Sequence, residues 1–118
     1  MTNVISHAVG LALSIAALAL LVVRASLHGN AWHVASAAIF GTSLIMLFAA
    51  STCYHGIKSP GARRRLRVLD HASIYGLIAG TYTPFALVTF RGTLGWVVFG
   101  ISWGLALAGI SLKLIFTD

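Results

Sequence analysis

The chain has 118 residues, 58% of them hydrophobic and 8% charged, and a mean hydropathy of +0.93. That lies far outside the range of soluble globular domains, so apolar runs long enough to cross a bilayer are expected. The formal charge of +6 would suggest nucleic-acid binding in a soluble protein, but Lys58, Arg63, Arg64, Arg65 and Arg67 cluster between two apolar runs with no interleaved aromatics, so orientation in a membrane explains them better and nucleic acid is not expected as a partner.

Taken in chain order, the first predicted span covers about residues 4–23, dense in Leu, Ala and Val, and stops at Arg24 before the polar stretch "RASLHGNAWH". It follows only a few uncharged residues and lacks a basic leader, so no cleavable signal peptide is expected. The second span, about 34–54, ends at Gly56 and the helix-breaking pair Pro60-Gly61. It contains the chain's single cysteine, Cys53, which excludes an intramolecular disulfide and a Cys-rich metal site and reads as a small buried apolar residue.

The third span, about 71–90, carries Gly80, Thr81, Thr83 and Pro84. Pro84 cannot donate to the Gly80 carbonyl, so a kink is expected, with the threonine hydroxyls satisfying the loosened backbone. The fourth, about 94–116, bears Trp96, Phe99, Trp103 and Phe116, with Lys113 placed to snorkel to the interface. Each span is near the roughly 20 residues that a bilayer core of about 30 Å requires. The short connections imply antiparallel neighbours, so residues 1–118 read as one all-α, polytopic transmembrane bundle in contact with the lipid bilayer.

Charge sets the expected orientation. The segment Gly56–Leu69, read as a loop, holds five Lys and Arg, whereas Arg24 alone marks the first connection and Arg91 alone the third. By the positive-inside rule that segment is cytoplasmic, together with the amino terminus and the Lys113–Asp118 end, in the inner (plasma) membrane of the cell. One membrane face then gathers His7, His55, Asp70 and His71, while His28 and His33 fall on the other side as solvated interfacial residues.

The chemistry is expected on that first face. Ser51 and His55 are four apart and so stack on one helical face. A neutral imidazole is a good zinc ligand, and a carboxylate can ligate or orient a bound water. Asp70 is the one carboxylate in this region, since the only other acidic residue is Asp118. An ionisable group at membrane depth is expensive and therefore a functional candidate. Zinc would lower the pKa of a bound water to about 7 and provide hydroxide for attack on an amide or ester. Plainer readings stand beside this one: interfacial histidines, a Ser51 bonded to its own helix, and an Asp70 that caps the third helix or pairs with Arg67. His7 is a further ligand or hydrogen-bond partner on this reading. One His and one Asp are fewer than the three or four ligands of a closed zinc site.

These residues carry a family resemblance. "SHAVG", "STCYHG" and above all "LDHASIYGLIAGTYTPF" resemble the hemolysin III family, grouped with the adiponectin and progestin receptors and, more distantly, the alkaline ceramidases. The resemblance extends over essentially the whole chain. It implies a seven-helix membrane protein with a cytoplasmic amino terminus and a zinc ion near the cytoplasmic side. His55, matching the second-helix S-x-x-x-H motif, is then a zinc ligand, and two more ligands come from an H-x-x-x-H motif in the seventh helix. Asp70 is then the residue that holds the metal-bound water, with Ser51 beside the site, and the implied activity is hydrolysis of a lipid amide. The family name reflects a cytolytic activity. The chain departs from this pattern by stopping at Asp118 after four spans, without the last three helices and the H-x-x-x-H pair, and by lacking the amino-terminal Glu that precedes "NVISH" in the family. It therefore reads as a partial member with an incomplete metal site, and neither His7 nor His71 reproduces the missing ligand geometry.

Two other classes of function compete. A non-enzymatic protein that homo-oligomerises as a pore or transporter suits the span count and the small pair Gly76 and Gly80, able to bring helices close. Haem binding by His7 with His55 or His71 is a third reading.

Overall fold

A helix crossing lipid must bond all of its backbone polar groups internally, and this sequence does so with little interruption. The computed structural model describes residues 2–116. They form α1 (Thr2–His28), α2 (Ala31–Gly56), α3 (Pro60–Pro84), a π-helical segment (Phe85–Phe90) and α4 (Gly92–Ile115). Four apolar segments are long enough to cross a membrane, the third comprising α3 and its π-helical continuation. Asp118 lies outside the described residues.

The four spans follow one another side by side, each antiparallel to the last. Among the described residues the backbone of α1 packs only against α2 and that of α4 only against α3 and the π-helical segment, while the Trp32 ring of α2 reaches the Trp96 ring of α4 edge-on at 5.7 Å. The result is a layer one helix thick, with extents of 46 × 30 × 15 Å.

The seams between helices are made of small and hydroxyl-bearing residues. Ser14, Ser36, Ser43, Ser51, Ala72, Ala79, Thr83 and Ala86 are buried, while Leu13, Leu20, Leu27 and Leu105 are exposed. Lipid is as apolar as leucine, so burying leucine gains little and close backbone approach gains more. Gly80 shows this directly: a Cβ there would stand 2.5 Å from Ser43 Oγ across the α2–α3 seam. Gly76 has open space around it. The Gly76 and Gly80 pair is therefore not a free association face, because Gly80 is already used inside the chain.

The connections are shorter than the sequence suggests. The stretch after Arg24 stays helical to His28, leaving only Gly29 and Asn30 between α1 and α2. Asn30 caps α2 by accepting from the backbone N–H groups of Trp32 (3.0 Å) and His33 (3.3 Å). His33 Nδ1 accepts the Asn30 N–H at 3.2 Å, so this histidine closes a capping box as well as meeting the interface. The basic run expected as a loop is helix: Pro60 opens α3, as proline favours, and Arg63 to Arg67 occupy its first turns. Asp70 consequently lies well inside α3 and cannot cap it. Cys53 is exposed rather than buried.

Where a kink is expected at Pro84, regular α-helix instead ends. The backbone beyond it widens to π geometry, closed by the Arg91 N–H on the Ala86 carbonyl at 3.0 Å. Thr81 and Thr83 donate to the Leu77 and Ala79 carbonyls, both at 2.8 Å, so they strengthen the preceding turn and do not reach the Gly80 carbonyl that Pro84 leaves unserved. The chain then reverses at Arg91 (φ 52°) and Gly92 (φ 66°). Arg91 tolerates a conformation that favours glycine while its guanidinium lies 5.2 Å from the Trp32 ring.

Candidate functional site

Near the start of α1, the end of α2 and the middle of α3, three helices border one cavity of about 280 Å³. His7 comes from α1, Ser51 and His55 from the last turns of α2, and Asp70 from α3; Leu47, Phe48 and Ile74 complete the walls. The sequence-derived candidates Ser51, His55 and Asp70 are thus brought together, and His7 joins them. His71 does not: it is exposed and borders no part of this cavity.

Ser51 organises the imidazoles. Its hydroxyl is hydrogen-bonded to His7 Nδ1 and stands 3.5 Å from His55 Nδ1. The His55 Nδ1–H donates to the Ser51 carbonyl at 2.8 Å, one helical turn back. A carbonyl only accepts, so His55 carries its proton on Nδ1 and keeps its lone pair on Nε2, the arrangement a metal-ligating histidine needs. The two imidazole rings lie 4.8 Å apart between centroids. Phe48 meets His7 edge-on at 6.2 Å, and Tyr54 meets His55 at 5.0 Å.

Asp70 is half-buried. Among the described residues its carboxylate makes no hydrogen bond and no ion pair, so the expected alternative of pairing with Arg67 is not found. Among the described residues the one side-chain hydrogen bond to Asp70 is on its backbone carbonyl, which accepts from the Ser73 hydroxyl at 2.7 Å. Among the described residues no three His, Cys, Asp or Glu side chains stand close enough to share a metal ion.

Sequence reasoning missed the role of Arg63. Its guanidinium covers the Tyr54 ring at 4.6 Å and makes long hydrogen bonds to the Tyr54 and Ile57 carbonyls, at 3.4 and 3.3 Å. These serve orphan carbonyls at the end of α2, beside the turn that carries His55. Reading residues 56–69 as a loop hid this contact. The His7–Ser51 contact was equally invisible to local spacing, because the two residues are 44 positions apart.

A one-layer array of four apolar helices, each long enough to span a bilayer, with a His, Ser and Asp cluster bordering a cavity at one end, defines a multi-pass membrane protein. The chain belongs to the haemolysin III-related family, whose model matches residues 1–117. It is 46% identical over 114 residues to Hemolysin-3 of Bacillus cereus, covering 97% of this chain and 52% of that protein. It is also 46% identical over 114 residues to a Hemolysin-3 homolog of Bacillus subtilis (strain 168), covering 97% and 54%. The chain therefore spans about half the length of the curated relatives it matches. No solved structure matches it.

Proposed function

We propose that the cavity of His7, Ser51, His55 and Asp70 is this chain's share of a zinc-dependent centre that hydrolyses a lipid amide, facing the cytoplasm from the plasma membrane. The observation that carries the proposal is the convergence of these polar side chains from α1, α2 and α3 on one cavity. Two donors fit a metal by their chemistry: His55, with Nε2 left as the free lone pair, and Asp70, whose carboxylate is without a partner among the described residues. A zinc site takes four protein ligands, or three and a water, so donors besides His55 and Asp70 are needed, and the family resemblance implies an H-x-x-x-H pair for them.

Zinc, when bound, supplies Lewis acidity near neutral pH. The chain's own residues do the positioning. Ser51 fixes the His7 and His55 rings, the Ser51 carbonyl sets the His55 tautomer, and Asp70 provides an acceptor for a water proton. The apolar walls Leu47, Phe48 and Ile74 suit an acyl substrate entering sideways from the bilayer. Cytolysis, the activity carried in the relatives' names, falls within the same proposal, because hydrolysing bilayer lipid weakens a membrane. The sidedness rests on Lys58, Arg63, Arg64, Arg65 and Arg67 lying at this end, against Arg24 and Arg91 at the other.

The test is the zinc content of protein purified from membranes, wild type beside His55→Ala. Zinc in the wild type and its loss in the variant are the expected results. Equal zinc in both, or none in the wild type, overturns the proposal for this chain.

A further inference from the structure

A cavity larger than that of the His and Asp cluster lies at the other end of the layer. It measures about 450 Å³, within the range of about 300–1,000 Å³ usual for small-molecule sites, and runs between α1, α2 and the π-helical segment. Its walls are apolar, contributed by Leu21, Phe40, Pro84, Phe85 and Val88, and its rim carries Arg24, His28 and His33. The widened backbone beyond Pro84 builds one wall, a setting in which π-helical turns are often functional.

Two polar groups here lack partners within the chain. Among the described residues Arg24 makes no hydrogen bond and no ion pair. The only described acidic residue, Asp70, lines the cavity at the opposite end. Ser36 borders the cavity with 2% of its surface exposed, and its hydroxyl has no hydrogen-bond partner. A guanidinium is suited to a phosphate, which it can bind through two parallel N–H groups. Apolar walls inside a membrane span suit an acyl chain and not a soluble anion. Neighbouring Leu20 and Leu27 are exposed on α1, so entry is from the bilayer.

We propose that this groove binds an anionic phospholipid of the adjoining leaflet, with its phosphate on Arg24, one acyl chain between α1 and the π-helical segment, and an ester carbonyl as the acceptor for Ser36. The proposal is independent of the zinc reading, because it uses none of the same residues.

The test is lipid retention by the purified chain in phosphatidylcholine nanodiscs doped with phosphatidylglycerol, read by native mass spectrometry. The wild type is expected to keep phosphatidylglycerol over phosphatidylcholine by about tenfold, the scale of one charge-assisted contact. Arg24→Gln should abolish that preference and Arg24→Lys should keep part of it. Val88→Trp, which fills the groove, should lower retention of both lipids, and Lys113→Gln should change neither. Equal retention of the two lipids by the wild type overturns the proposal, as does a preference that survives Arg24→Gln. Arg24 is exposed, so its variants keep the test decisive even where Val88→Trp fails to fold.

Discussion

Ser51 and Ser36 lie on the same helix, are 5% and 2% exposed respectively, and differ in everything around the hydroxyl. Ser51 meets two imidazoles, one of them from α1. The Ser36 hydroxyl has no hydrogen-bond partner among the described residues. A third serine on α2, Ser43, shows the ordinary solution: its hydroxyl donates to the Ile39 carbonyl one turn back, at 2.8 Å. Burial alone therefore does not bring polar partners across a seam between helices in lipid. A hydroxyl is paired across a seam where the neighbouring helix presents a polar side chain to it, as His7 does to Ser51 and the Trp103 indole does to Thr83.

The largest effect expected from that difference is on metal. His55→Ala should reduce bound zinc by tenfold or more, on the order of the loss seen even when residues that merely orient a ligand are changed. His33→Ala, at the Ser36 end, should leave zinc unchanged while costing about 1 kcal/mol through its lost cap. Loss of zinc in both variants would show that the two ends are not separate.

The seam between the ends comes next. Gly80→Ala places a methyl group 2.5 Å from Ser43 Oγ and 2.8 Å from Ser43 Cβ, pushing α2 from α3 and costing about 1–3 kcal/mol. Gly76→Ala meets open space and should gain up to about 1 kcal/mol from helix propensity. Equilibrium unfolding in mixed micelles measures both, and equal shifts would remove the close approach at Gly80 as their cause. The serines themselves are then compared: Ser51→Ala strands His7 and should cost about 1–2 kcal/mol, whereas Ser36→Ala removes a hydroxyl with no partner among the described residues and should be neutral or stabilising in lipid-free detergent. In micelles that contain phosphatidylglycerol the same variant should be destabilised, because lipid in the groove gives that hydroxyl its acceptor.

Much of this architecture could be read from the sequence, for identifiable reasons. Long apolar runs admit only helices in lipid, so the four helices and their antiparallel order followed from length and hydropathy. Pro84 marked a disturbance in the third helix because its missing N–H is a local fact, but the π-helical form that the disturbance takes, in place of the expected kink, was not legible. The Ser51 and His55 pair followed from a spacing of four. What escaped depends on neighbours. The helical start of α3 at Pro60 was hidden because the same proline that breaks a helix interior opens a helix at its first turn. The reach of His7 to Ser51 and the capping of α2 by Arg63 needed the register between helices, which no local pattern carries. The cavity beside Ser36 had no signal at all, because its walls are ordinary apolar residues from three separate elements.

Thr83 supplies the smallest test and the intermediate case between the two serines. Its hydroxyl donates to the Ala79 carbonyl within its own helix, at 2.8 Å, and also accepts the Trp103 indole N–H from α4, at 3.0 Å. Trp103→Phe removes only the second bond and keeps an aromatic ring in the seam. The expected loss is about 0.6 kcal/mol, the average for hydrogen bonds between helices in a membrane, where the separated helices also find partners. Thr83→Val removes both bonds at nearly constant volume, so a double-mutant cycle with Trp103→Phe isolates the contact between helices. A coupling near zero would mean that Thr83, like Ser43, is satisfied within its own helix, leaving the Ser51 end as the place where a hydroxyl joins one helix to the next.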